Sequence, residues 1–117
     1  MNCKVVLTFL FSFFAITLSI AQDSTSSKVY IMEIKDNIDP RMNRYIKLAF
    51  EEAEAKNVDY VLIEMDTYGG AVTDANDIVE TILDYDKPVF VFIDKNAASA
   101  GALISIACDS IYMAKGS

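Results

Sequence analysis

One serine in this sequence stands alone among very small residues. It lies in the segment Asn96-Ala97-Ala98-Ser99-Ala100-Gly101, between an apolar run from Pro88 to Ile93 and a second apolar stretch from Leu103 to Ala107. The first run is typical of a strand and the second of a buried helix. A serine at such a turn can expose its hydroxyl as a nucleophile beside the positive end of the helix. It can equally be the N-cap of that helix in a tightly packed turn, and the local pattern leaves both interpretations open.

The glycine pair Gly69-Gly70 follows the preceding predicted strand. Its backbone can turn sharply and present N–H groups without a side chain in the way. The N–H of Ala100, directly after Ser99, would be a second donor near the serine hydroxyl. Two such donors are the parts of an oxyanion hole, where each contributes about 3 kcal/mol in comparable sites. The alternative is that the glycines only form the turn into a helix. A phosphate-binding loop fits less well, because the pattern lacks both GxGxxG and a Walker lysine.

A nucleophilic serine needs a base, and this chain contains no histidine. A Ser-His-Asp triad within the chain is therefore excluded, and lysine remains, provided that burial lowers its pKa. The nearby candidates are Lys87, Lys95 and Lys115, each at the end of a predicted strand, where a solvated boundary residue is the simpler interpretation. The carboxylates are scattered and form no pattern of metal ligands. We expect no cofactor.

Strand and helix patterns alternate along the chain with short connections. The predicted strands are Val29 to Ile34, Val58 to Met65, Val89 to Ile93 and Ser110 to Met113. One predicted helix begins at Pro40 after an Asp39 N-cap and has Asn57 as C-cap. A second helix covers Val72 to Leu83, and a third follows Ser99 and ends near Ala107. This order predicts an α/β fold with parallel strands, covered by helices on both faces of the sheet. The loops carrying Gly69-Gly70 and Ser99 would lie at the carboxyl ends of strands, where such sheets usually bind ligands.

Composition limits the size of the protein and its partners. The 117 residues suffice for one small domain. The 17 acidic residues against 10 basic ones give a net charge of −7, which argues against nucleic acid and anionic membrane surfaces as partners.

The amino terminus has the pattern of a secretory signal peptide. Lys4 precedes an almost unbroken apolar run from Val5 to Ile20, and Ser19-Ile20-Ala21 fits a cleavage site. We therefore predict a signal peptide over residues 1–21, a polar linker over residues 22–27 and export across the cytoplasmic membrane; an uncleaved membrane anchor is the alternative. Cys108 would then be the only remaining cysteine, without an internal disulfide, and fits a small buried hydrophobic residue.

Two motifs together resemble a known family. Asp66-Thr67-Tyr68-Gly69-Gly70, with Ser99 in Asn96 to Ala102 at 29 residues after Gly70, resembles the NfeD-type membrane-associated serine proteases of the Clp protease and signal peptide peptidase A group. The resemblance covers residues 28–117 and implies a ClpP/crotonase-like fold of repeated β-β-α units. It implies a Ser-Lys dyad with Ser99 as nucleophile, and Gly70 and Ala100 as oxyanion donors. It further implies an extended substrate paired with the backbone of Gly69, Gly70, Ala71 and Val72, a peptide or membrane-protein substrate, and a homo-oligomer of the complete protein.

Two departures from the family pattern stand out. Tyr68 occupies a position where the family commonly has proline. The family's lysine lies a few tens of residues beyond the serine, whereas only 18 residues follow Ser99. We therefore expect an incomplete, amino-terminal fragment that is inactive alone, with a strand edge and apolar surface left uncovered.

The sequence thus favours a Ser-Lys endopeptidase that cleaves apolar peptide segments at the membrane. Two alternatives stay open. A non-catalytic ClpP-like scaffold or binding module in a membrane-associated assembly would keep the fold without the base. A crotonase-like acyl-thioester enzyme shares the oxyanion architecture, but neither the signal peptide nor a nucleophile at Ser99 suits it.

Overall fold

The computed structural model describes residues 26–117, so the predicted signal peptide and residues 22–25 of the predicted linker lie outside the described residues. Within this part of the chain, no helix combines the length and the apolar character needed to cross a membrane. The elements are β1 (Val29–Ile34), α1 (Pro40–Ala55), β2 (Tyr60–Thr67), α2 (Val72–Leu83), β3 (Val89–Ala97), α3 (Ala100–Ala107) and β4 (Ser110–Met113). The predicted alternation of strands and helices is thus present.

The four strands form one parallel sheet in the order β1-β2-β3-β4. Each strand pairs with the next one along the chain, so every crossover steps in the same direction. Crossovers of one hand that step in one direction place their helices on the same face of the sheet. Strands therefore alternate singly with helices in the described residues, without the paired strands of a β-β-α unit.

The sheet has one covered and one open face. Val61, Ile63 and Met65 of β2 are fully buried under the helices, while the residues between them are only half-buried. On the opposite face Ile31 is 57% exposed, and the Phe90 ring stacks on Tyr60 at 5.8 Å between centroids. The expectation of a sheet covered on both faces is therefore wrong for residues 26–117, because all three crossovers lie on one side.

Helix α1 begins as predicted. The Asp39 carboxylate accepts hydrogen bonds from the N–H groups of Arg41 and Met42, and Pro40 fills the first turn, where no N–H is needed. These N–H donors and the Arg41 guanidinium lower the pKa of Asp39. The other end differs slightly from the prediction. The C-cap is Lys56, and Asn57 follows it with a φ of +47°, the left-handed conformation that asparagine tolerates.

Two further differences concern β3 and α3. β3 continues past the predicted end at Ile93 as far as Ala97, which brings its last residues to the site. The predicted buried helix α3 buries only one side, since Ile104 is inaccessible while Ile106 is 74% exposed. Cys108 is only partly buried, and its burial raises the pKa of the thiol to about 12, which favours the neutral thiol.

Candidate active site

The ends of β2 and β3 bring the two predicted loops together. Thr67 pairs with Ala97, and the N–H of Ala98 donates to the Thr67 carbonyl at 3.0 Å. The Asn96 side chain also donates to the Asp66 carboxylate at 2.9 Å. Between Met65 and Thr67 the register shifts, since β3 carries extra residues opposite them. This irregularity turns the end of β3 across the glycine loop.

Ser99 occupies a strained turn between β3 and α3. Its backbone has a φ of +52° and a ψ of −115°, the values of the first central residue of a type II′ turn. The N–H of Gly101 closes this turn on the Ala98 carbonyl at 2.9 Å. Ser99 is the N-cap residue of α3 by position, but its side chain makes no capping hydrogen bond. The hydroxyl is thus not used by the helix, which removes the side-chain cap as the reason for a serine here.

The strain at Ser99 leads to a stability prediction. A positive φ costs a non-glycine residue roughly 1–3 kcal/mol, and glycine avoids that cost. We expect Ser99→Gly to be about 1 kcal/mol more stable than Ser99→Ala, because the relief of strain exceeds the entropy that glycine adds to the unfolded chain. Urea unfolding of the two variants measures this difference. A less stable glycine variant would show that the turn carries no strain.

Gly69 lies directly against the serine turn. A Cβ atom placed on Gly69 would be 2.8 Å from the Ser99 Cβ and 3.2 Å from the Ala100 nitrogen. These distances are too short for a side chain, and the φ of Gly69 is +108°. Glycine at this position therefore allows the two loops to touch, and the structure brings Gly69, Ser99 and Ala100 together as the sequence predicts.

Gly70 is held on its other side by the β1–α1 loop. It forms a parallel bridge with Ile38, in which the Ile38 N–H donates to the Gly69 carbonyl at 2.9 Å and the Ala71 N–H donates to the Ile38 carbonyl at 2.8 Å. A Cβ atom on Gly70 would lie 2.1 Å from the Ile38 carbonyl oxygen. In such a bridge the polar groups of Gly70 itself point away from Ile38.

The N–H groups of the two predicted oxyanion donors are left without partners among the described residues. Neither the Gly70 nor the Ala100 N–H donates a hydrogen bond within residues 26–117. The Ala100 group belongs to the first residue of α3, whose N–H has no intrahelical acceptor. Of the predicted substrate-binding backbone, Gly69 and Ala71 already use their N–H groups on Thr67 and Ile38. Val72 is the first residue of α2, so Gly70 is the one of the four that offers a free N–H in extended backbone.

The candidate lysines lie in different surroundings. The Lys87 ammonium donates to the Asn57 side chain at 2.9 Å, next to the amino-terminal ends of the strands and away from Ser99. Lys95 lines a cleft of about 330 Å³ with Thr67 and Tyr68, and Lys115 follows β4. Among residues 26–117 no lysine donates a hydrogen bond to Ser99, and no group of three acidic or cysteine side chains could hold a metal ion.

Sequence reasoning missed two residues of this arrangement. Ile38 anchors the glycine loop through its backbone, and Thr67 fixes it through a buried hydroxyl. Thr67 belongs to the motif Asp66 to Gly70, so the sequence indicates that the residue lies at the site but does not indicate its contacts. Ile38 carries no signal, because any residue can supply a backbone N–H and carbonyl.

A parallel sheet with helices on one face and a serine turn packed on a glycine loop defines a ClpP-like α/β protein. ClpP1 from Listeria monocytogenes shares this fold with a TM-score of 0.64 at 22% identity, over 68% of this chain and 46% of its own. The family model of the NfeD1b N-terminal domain matches residues 28–117. The chain belongs to this family.

Relatives of known name support this membership. The membrane protein NfeD1b of Bacillus subtilis is 31% identical over 88 residues, which are 75% of this chain and 20% of the relative. The membrane-bound protease PH1510 of Pyrococcus horikoshii is 34% identical over 95 residues, 75% of this chain and 21% of the relative. The chain thus spans about a fifth of the length of these curated relatives.

Solved structures of the 1510-N membrane-bound stomatin-specific protease match with a TM-score of 0.70. One is a serine-to-alanine mutant, 28% identical, and the match covers 76% of this chain and 44% of that one. The other is a lysine-to-alanine mutant in complex with a substrate peptide, 29% identical, with 76% and 42% covered. The homologues therefore include proteases, and the predicted family and ClpP-like fold are confirmed.

Proposed function

We propose that this chain carries the nucleophile and the oxyanion hole of a membrane-associated serine endopeptidase of the Ser-Lys type. The observation that carries the proposal is the contact between the strained Ser99 turn and the Gly69-Gly70 loop, with two N–H groups left free beside it. Strained turns that expose an uncommitted hydroxyl are typical of catalytic nucleophiles. The proteases among the relatives support the same reading.

In this mechanism the Ser99 oxygen attacks the carbonyl carbon of a peptide bond while a base takes the hydroxyl proton. The carbonyl oxygen becomes an oxyanion, and the N–H groups of Gly70 and Ala100 stabilise it. The proton then passes to the leaving amine as the C–N bond breaks, and an acyl-enzyme remains. Water hydrolyses the acyl-enzyme and restores the serine.

The base is proposed to be a lysine supplied by the complete protein beyond residues 1–117. Lys35 lines the same cleft as Lys95, Thr67 and Tyr68, but it is unsuited as the general base. Its ammonium lies 2.6 Å from Glu33 and 2.7 Å from Glu64, and these carboxylates raise its pKa. A general base for serine needs the opposite, a pKa lowered toward neutrality. The lysine-to-alanine mutant of the relative supports a lysine in this role. We therefore propose that residues 1–117 alone are inactive.

An apolar peptide is the proposed substrate. The exposed side chains near the glycine loop and along α3 include Tyr68, which is 78% exposed, Val72 and Leu103. An extended peptide would pair with the free edge of Gly70 and place apolar side chains on this surface. The relatives are named membrane proteins or membrane-bound proteases, which supports a membrane-associated enzyme. Export, a homo-oligomer and a membrane-protein substrate complete the proposal.

Covalent labelling tests the proposal. The complete protein is incubated with a fluorophosphonate, which phosphonylates activated serines, and the labelled peptide is identified by mass spectrometry. We expect labelling at Ser99 and none at Ser105, a buried serine of the same helix whose hydroxyl donates to the Gly101 carbonyl. A protein that stays unlabelled while folded would contradict the nucleophile and favour the non-catalytic scaffold.

A further inference from the structure

Thr67 is a buried polar residue at the junction of three segments. It is the last residue of β2 and only 2% of its surface is exposed. Its neighbours are the β1–α1 loop, the glycine loop and the start of α3. A buried hydroxyl has to satisfy its hydrogen bonds within the protein, so its partners are fixed ones.

The hydroxyl joins two of these segments. It donates to the Asp36 carbonyl at 2.8 Å and accepts the Gly69 N–H at 3.1 Å. The next peptide is held as well, since the Gly69 carbonyl accepts from the Ile38 N–H. In a trans peptide the N–H of Gly70 points opposite to the Gly69 carbonyl, and therefore away from Ile38. Thr67 and Ile38 together thus set the direction of the Gly70 N–H.

The carbonyl and the methyl group of Thr67 contact the serine turn and the start of α3. Its carbonyl accepts the N–H of Ala98, the residue before Ser99. Its methyl group occupies the space beside Gly101, where an added Cβ would lie 2.7 Å from the Thr67 Cγ2. The first turn of α3, which carries the Ala100 N–H, therefore packs directly on the threonine. The Thr67 side chain therefore contacts both the glycine loop, which carries the Gly70 N–H, and the first turn of α3, which carries the Ala100 N–H.

We propose that Thr67 is a positioning residue, whose hydroxyl fixes the glycine loop and so orients the Gly70 N–H beside the Ala100 N–H. The inference rests on the proposed oxyanion hole and extends it to the group that holds its two halves in register. The hydroxyl contributes to kcat and not to substrate affinity. A misdirected N–H donor stabilises the oxyanion of the transition state less well, whereas the binding of the uncharged substrate carbonyl changes little.

Two substitutions separate the parts of the side chain. Thr67→Val keeps the shape and the methyl group and replaces the hydroxyl with a second methyl group, whereas Thr67→Ser keeps the hydroxyl and removes the methyl group. In the complete protein, with a fluorogenic apolar peptide, we expect the valine variant to lose roughly 100-fold in kcat with KM within about threefold. The serine variant is expected to keep kcat within about fivefold. Hydrogen exchange should show a faster Gly69 amide in the valine variant only.

The outcomes distinguish this inference from the proposed function. A wild-type protein without Ser99-dependent hydrolysis would overturn the function and the role of Thr67 together. An active wild type whose folded valine variant retains kcat, or whose folded serine variant loses as much as the valine variant, would overturn only the role of Thr67. Rates are compared per folded molecule, from thermal unfolding of each variant. If the valine variant does not fold, a fully active, folded serine variant supports the hydroxyl and an inactive one refutes it.

Discussion

Replacing Ser99 with alanine is expected to lower kcat for peptide hydrolysis by the complete protein by about 10⁴-fold or more. The change removes one oxygen atom that no hydrogen bond of the helix uses. The backbone strain at Ser99 is the same for alanine, so the fold is expected to stay intact. KM should change little, because the peptide binds through the loop backbone. The measurement is steady-state hydrolysis of a fluorogenic apolar peptide.

Ser105→Ala provides the matched control for this experiment. It removes a hydroxyl from the same helix, but this hydroxyl donates to the Gly101 carbonyl one turn earlier and faces no substrate. Its loss is expected to leave kcat within about threefold and to cost about 1 kcal/mol of stability. Hydrolysis that survives in Ser99→Ala would identify another nucleophile and contradict the proposed mechanism.

Replacing Gly70 with alanine is expected to destabilise the protein by about 3 kcal/mol or more. The new Cβ would lie 2.1 Å from the Ile38 carbonyl oxygen and 2.7 Å from its nitrogen, and both are backbone atoms that cannot swing aside. Relief requires opening the bridge, which costs its two hydrogen bonds and moves the Gly70 N–H away from Ser99. Urea unfolding measures the stability, and fluorophosphonate labelling of Ser99 should fall with it.

Gly116→Ala separates steric conflict from backbone conformation. Gly116 also has a positive φ, +85°, but nothing lies within 4 Å of an added Cβ. We expect this variant to lose about 1 kcal/mol, the cost of the dihedral angle alone. Equal losses at Gly70 and Gly116 would mean that the Ile38 contact does not constrain the loop.

The sequence alone was sufficient for the order of the elements and for the two loops that meet at the candidate site. Hydrophobic periodicity marks each strand and helix, and these patterns are local, so they survive in the linear sequence. The pair of motifs around Gly70 and Ser99 indicated the family and the two loops that meet. The lack of histidine excluded a triad within this chain.

Tertiary structure decided how these parts fit together. The open face of the sheet follows from the strand order, which a single apolar run such as Val61 to Ile63 does not reveal. The absence of a capping bond at Ser99 depends on dihedral angles set by the turn. Ile38 acts through backbone groups common to all residues, and the Thr67 hydroxyl donates to the Asp36 carbonyl, which is 31 residues away in sequence. Such contacts depend on distances between segments, and residue types do not encode them one by one.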